Sequence, residues 1–168
     1  LLQTINDVSM QVITTLNSGG KVLFAGNGGS AADSQHLAAE FVSKLSKPRE
    51  PLAAMALTTD TSALTAIGND YGFEQLFLRQ LIALGNTNDF FIGITTSGKS
   101  PNILNCLKYC NENSIKSCIL TGKDVENEFC DFKINVPSNN VANIQESHIM
   151  IGHIICAIAE EYIFFNKS

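Results

Sequence analysis

The sequence predicts an α/β fold: a three-layer αβα sandwich around a five-stranded, doubly wound parallel sheet of the flavodoxin-like kind. Three observations carry this. Short apolar runs recur at 21–25, 52–57, 89–94, 115–120 and 132–136. They are solidly apolar rather than alternating, the mark of strands buried on both faces. Stretches of helical period separate most of them, and strand–helix alternation implies a parallel sheet covered by helices. A chain of 168 residues suits one domain, read here as 1–168 with an N-terminal helix over 1–18 and an interface helix over 142–165.

Leu2, Ile5, Val8, Val12, Ile13 and Leu16 have helical spacing, and Ser18-Gly19-Gly20 ends that helix. The first strand leads into the turn Gly26-Asn27-Gly28-Gly29-Ser30, where Ser30 is expected to cap a helix reaching about Lys44. Pro48 and Pro51 bracket a loop before the second strand, and Thr58-Thr59-Asp60-Thr61 is a polar loop after it. A helix over 62–67 is expected to break at Gly68-Asn69-Asp70-Tyr71-Gly72. Another spans 73–84, with Leu76, Phe77, Leu81 and Leu84 on one face. The third strand runs into a hydroxyl-rich loop, and Pro101 suits the first position of the next helix, which extends to about Asn113. After two more strands the last helix starts near Ala142 and runs towards Phe165. It is apolar nearly all round, so it should be buried on every side, and an oligomer interface is expected to cover what one chain cannot.

The charged fraction of only 16% points the same way. A formal charge of −5 and a pI of about 5.1 argue against a nucleic-acid-binding face. No run reaches the ~18 apolar residues of a membrane span, the richest being interrupted by Gly152 and His153. No stretch reads as a signal peptide. The opening Leu-Leu, inside a helical pattern and without Met, suggests that the first residues are missing. Five cysteines without a CxxC pair read as buried small hydrophobes in a reducing, cytoplasmic setting.

In such folds ligands sit at the C-terminal ends of the strands. Gly26-Asn27-Gly28-Gly29-Ser30-Ala31 satisfies G-x-G-x-x-A, but the acidic residue that should end the second strand is missing at the right spacing: Glu50 precedes that strand and Asp60 lies too far on. What remains is a glycine turn that lets backbone approach a ligand at a helix start. Gly93 to Ser100 matches GxxxxGK[ST], yet Gly93 falls within an apolar run and Pro101 removes an amide from the helix start. A monophosphate site formed by Thr95, Thr96, Ser97 and Ser100, with Lys99 adding charge, fits better than a nucleotide loop or a plain polar turn.

His36 and Glu40 are four apart on one helix face, with Gln35 and Asp33 nearby. Gln145 and His153 are about 80° apart around the last helix and ~12 Å along it, whereas His148 points about 140° away from His153. His36, Glu40, Gln145 and His153 form an N/O set suited to zinc or another borderline divalent ion. Taken alone, His153 reads as a core histidine.

Four stretches together closely resemble the phosphoheptose isomerases of the sugar-isomerase (SIS) domain family: 26–40, 59–72, 96–100 and 144–149. The resemblance runs from about residue 18 to the C-terminus. It implies conversion of sedoheptulose 7-phosphate to D-glycero-D-manno-heptose 7-phosphate, the first step of bacterial heptose biosynthesis for lipopolysaccharide or capsule. It also implies a homotetramer with sites between subunits and one zinc ion per subunit. By family pattern His36, Glu40, Gln145 and His153 hold the metal, and Glu40 and His153 are the acid–base pair. Asn27, Gly28, Ser30, Asp60, Gln145 and the hydroxyls of Thr95, Thr96, Ser97 and Ser100 bind the sugar phosphate. The family commonly has Gly-Arg where this chain has Ser43-Lys44, Arg where it has Asn143, and Asn where it has Lys99. Losing two guanidinium groups is not a conservative change. The competing class is a non-catalytic SIS module that binds phosphosugars or acts as a scaffold, for example beside replication-initiation factors. It has no need of all four metal-set residues.

Overall fold

Alternation along each strand decides which side of the sheet a residue serves. In the computed structural model, which describes residues 1–123 and 128–165, the elements are α1 (Leu2–Asn17), β1 (Val22–Gly26), α2 (Gly29–Val42), β2 (Ala54–Ala56) and α3 (Thr61–Tyr71). After a 3-10 turn at Phe73–Gln75 come α4 (Leu78–Leu84), β3 (Phe90–Ile94), α5 (Pro101–Glu112), β4 (Lys116–Thr121), β5 (Phe132–Asn135) and α6 (Val141–Phe164). The five strands are parallel, in the order β2-β1-β3-β4-β5. Val22, Phe24, Phe90, Ile92, Ile94, Cys118 and Leu120 face one core with α1, α2 and α6. Leu23, Ala25, Phe91 and Ile119 face the other, with α4 and α5. This is the expected three-layer architecture, and period-two alternation between two apolar layers explains why the strands read as continuous runs.

The helices depart from expectation in local ways. Ser30 does not cap α2; it is buried inside the first turn, and Gly28 occupies the cap position with φ +57. α2 ends at Val42 rather than near Lys44. α3 continues through Gly68 and stops at Gly72, whose φ of +90 suits glycine. One glycine inside a helix costs only about 1 kcal/mol, too little to break it. The 73–84 segment is split into the 3-10 turn and α4, and Leu84 is exposed instead of sharing the buried face of Leu76, Phe77 and Leu81.

Within one chain α6 is covered on one side only. Its inner face is buried through Ile144, His148, Ile151, Ile155 and Ala159, while Met150, Ile154 and Tyr162 are exposed on the single chain. Its length and composition alone would also suit a membrane span. It nevertheless packs on α1 and α2 as a core helix and carries buried His148 and Glu160. Gly152 sets its distance from α2: a Cβ there would lie 2.5 Å from Leu37 Cδ2. All five cysteines are free, and Cys106, Cys110, Cys118 and Cys156 are buried as expected, whereas Cys130 is only half-buried.

The return from α2 to β2 is tied to α6 by an ion pair whose side chains are almost sealed from water, Arg49 (2% exposed) with Glu160 (3%), at 2.9 Å. Burial by itself raises the Glu160 pKa, but hydrogen bonds from Leu45, Lys47 and Ser46 outweigh it and bring the value down from 4.5 to about 2. As pH falls, the unfolded chain therefore binds a proton here before the folded one does. The stabilisation is complete above about pH 4.5 and is lost towards pH 2; it is on the order of 3 kcal/mol. Glu160→Gln should unfold at lower denaturant than the wild type at neutral pH. The gap between the two should narrow steadily towards about pH 3; a gap independent of pH would contradict the assignment.

Candidate active site

The strand order reverses between β1 and β3, so the loops after these two strands splay apart and open a crevice. Register puts Gly26 beside Ile94, which brings the glycine turn and the Thr95–Ser100 loop to the same edge. The two loops are joined by a reciprocal amide pair. Asn27 Nδ2 donates to Asn102 Oδ1, and Asn102 Nδ2 donates to Asn27 Oδ1, both at 2.9 Å. Asn102 lies in the first turn of α5 and is buried. Sequence reading passed over it, because a pairing 75 residues apart leaves no local signal.

The Thr95–Ser100 loop closes on itself. Thr95 Oγ1 lies 2.9 Å from Ser100 Oγ, and the Lys99 amide donates to Ser97 Oγ at 3.2 Å. Gly98, at φ +64, makes the turn. Ser100 holds the cap position of α5 without a side-chain cap bond. A cleft of about 340 Å³ adjoins this loop, lined by Thr96, Ser97, Lys99, Lys123, Ser138 and Asn139. The last three carried no weight in the sequence; Lys123 enters from the end of β4. Gly93 sits in mid-strand, where Ile103 fills the place of its missing Cβ at 2.7 Å. The GxxxxGK[ST] match therefore begins in the sheet and not in a loop.

Along the outer side of α2 and α6 a second group forms. Nε2 of His36 and Nε2 of His153 are 2.8 Å apart, and Glu40 Oε1 is 3.3 Å from His36 Nε2. One ligand atom from each of these three residues lies within 4.8 Å of the others. Two imidazole nitrogens and a carboxylate oxygen, partly exposed and facing one point, have the donor chemistry of a divalent-ion site. Asp33 stands one turn before His36. Burial raises its pKa, His36 opposes the rise, and its Oδ2 is buried without a hydrogen-bond partner.

The remaining candidates are placed apart from this trio. Gln145 lies over the start of α2, so close that a Cβ on Gly29 would sit 2.4 Å from its Nε2. That is about two helical turns from His153. Asp60 caps α3 by accepting from the Ala63 amide at 2.9 Å. Gly28 and Asn27, with Thr58, Leu64, Phe73 and Phe77, line a separate hollow of about 440 Å³ under α3. His148 is fully buried, with Nε2 3.2 Å from the Thr121 carbonyl oxygen, and it stays away from the trio as its helical angle requires. Burial lowers its pKa, an effect the contact with Thr121 partly offsets.

A family model described as the SIS domain matches residues 1–122. Phosphoheptose isomerase 2 of Campylobacter jejuni is 55% identical over 166 residues, covering 98% of this chain and 83% of that protein. The phosphoheptose isomerase of Aneurinibacillus thermoaerophilus is 55% identical over 169 residues, covering 99% and 85%. The solved phosphoheptose isomerase of Neisseria gonorrhoeae superposes with a TM-score of 0.87 at 41% identity, covering 96% of this chain and 87% of that one.

Replacing Asn102 by Ala should strand the Asn27 amide and uncouple the two loops. A stability loss of about 1–3 kcal/mol is expected for a buried hydrogen-bond partner removed, read as a lower denaturant midpoint at unchanged slope. An unchanged midpoint would mean that the pair carries nothing.

Proposed function

The chain belongs to the phosphoheptose isomerases of the SIS-domain family, and from that premise we propose how its residues convert sedoheptulose 7-phosphate to D-glycero-D-manno-heptose 7-phosphate. It is an intramolecular aldose–ketose isomerase, and the reaction opens bacterial heptose biosynthesis for lipopolysaccharide or capsule. The convergence of His36, Glu40 and His153 from two helices is the observation that carries the mechanism.

The Thr95–Ser100 loop holds the phosphate. Its hydroxyls, the amides at the start of α5 and the Lys99 ammonium supply donors and positive charge. Gly122 lies between Thr96 and Ile144, so the loop abuts the first turns of α6. From Ile144 to His153 is about 13 Å along the helix, the order of length of an extended seven-carbon sugar phosphate. A phosphate anchored at the loop therefore brings the carbonyl end to the trio. Asn27, Gly28, Ser30, Asp60 and Gln145 complete the substrate contacts in this reading. Ser30, which is buried, contributes through the shape of the α2 turn.

Moving the carbonyl from C2 to C1 requires one carbon-bound proton to leave C1 and one to arrive at C2. Glu40 takes the first and delivers the second, and His153 passes the hydroxyl proton from O1 to O2. His36, Glu40 and His153 would hold one zinc ion per subunit, whose positive charge would stabilise the enediolate oxygens. Gln145 belongs to the same ligand set but would join it only by leaving Gly29. A carboxylate has two oxygens and an imidazole two nitrogens, so Glu40 and His153 would each hold the ion with one atom and move a proton with the other.

The exposed apolar face of α6, with Met150, Ile154 and Tyr162, supports a homotetramer, as does α3, none of whose residues is fully buried. Sites between subunits would then enclose a trio that is open on one chain. The single SIS domain is read as a cytoplasmic enzyme. A purely binding SIS module has no use for the assembled trio.

With sedoheptulose 7-phosphate, appearance of the aldose product is expected; tight binding without conversion would favour the binding module. Glu40→Gln should lower kcat by about 10²–10⁴-fold with fold and assembly intact. Full activity in that variant would remove Glu40 from the mechanism. Chelation should abolish turnover and added zinc should restore it, whereas indifference to chelators would remove the metal.

A further inference from the structure

α2 ends two residues after Glu40, so Glu40 sits where a helix is least secure. The last carbonyls of any α-helix lack partners within it. Here a single guanidinium satisfies two of them. Arg49 Nη2 donates to the Glu40 carbonyl oxygen at 2.7 Å, and Nη1 donates to that of Phe41 at 2.8 Å. Nη1 also meets the carbonyl oxygens of Ser43 and Glu50, at 3.3 and 3.0 Å. A cation at this end of α2 is favoured by the helix dipole as well.

The remaining arm of Arg49 reaches α6. Its Nε donates to Glu160 Oε2 at 2.9 Å. The Glu160 carboxylate is otherwise filled by the chain that follows α2: the Leu45 amide on Oε2, and the Ser46 amide, Ser46 hydroxyl and Lys47 amide on Oε1. Glu160 follows His153 by seven residues, which puts both on one face of α6 about 10 Å apart. One column of α6 thus touches α2 at His36 and, two turns on, holds the loop that caps α2.

We propose that the Arg49–Glu160 pair is a positioning device for the reaction, locking the last turn of α2 and its register against α6 so that Glu40 and His36 meet His153. The reasoning is geometric. A buried ion pair is satisfied at one register only, because both partners have used their donors and acceptors in directed bonds. A slip of α2 by one residue would break the bonds to Glu40 and Phe41 and rotate Glu40 by about 100°. Neither Arg49 nor Glu160 faces the sugar-phosphate cleft, so the pair acts through the groups it holds.

This inference rests on the isomerase reading above, and the experiment separates the two. Arg49→Lys keeps the charge but loses the fork; Glu160→Gln keeps the shape but loses the charge. Each variant is compared with the wild type in three ways: cobalt or zinc titration of the metal-free protein, kcat and KM for sedoheptulose 7-phosphate, and circular dichroism. Metal affinity and kcat should each fall roughly 10-fold or more. KM should change less than about twofold and the helical signal should be retained, because the phosphate loop lies on other elements. Unchanged metal affinity and kcat in both variants would overturn the proposal. So would a parallel loss of kcat, KM and helical signal, which marks a merely structural role. If the wild type neither binds metal nor converts the sugar, the isomerase reading itself has failed.

Discussion

The close, parallel approach of α2 and α6 is the constraint on which the site depends. Three contacts fall in step along both helices: Gly29 with Gln145, His36 with His153, and Leu37 with Gly152. The last relies on a residue without a side chain, since a Cβ on Gly152 would lie 2.5 Å from Cδ2 of buried Leu37. Helix surfaces normally stand 8–10 Å apart at their axes, as the side chains between them dictate. Taking away the side chain at Gly152 lets α6 approach α2 next to the point where His36 and His153 come within hydrogen-bond distance. The chemistry of the trio is thus a consequence of packing.

The other half of the site depends on the sheet. Because strand order reverses between β1 and β3, α2 and α5 leave on opposite faces, and the loops that start them separate at the edge. The Asn27–Asn102 pair spans that gap and ties the glycine turn to the start of α5, next to the Thr95–Ser100 loop. The two loops, and the helix starts behind them, therefore share one frame. On the far side of α6, Met150, Ile154 and Tyr162 are exposed on the single chain.

Much of this was legible locally. Strands buried on both faces show as unbroken apolar runs, and all five appear where the runs fall. His36 and Glu40 share a face because four residues are about one turn. Errors came where local rules compete. Gly68 and Gly72 look alike in sequence, but only Gly72 has a backbone angle that needs glycine. Ser30 has the chemistry of a cap, yet the turn at Gly28 carries it past that position into the first turn of α2.

The sequence alone determined the layer architecture, the sheet edge at which the glycine turn and the hydroxyl-rich loop meet, and the residue types these loops carry. These follow from periodicity and from glycine and hydroxyl content, which act over a few residues. Tertiary structure alone decided that His153 meets His36 across 117 positions, that Arg49 caps the helix bearing Glu40, and that Asn102 holds Asn27. Each of these is a pairing of side chains brought together by helix packing and strand order. No spacing along the chain encodes such a distance.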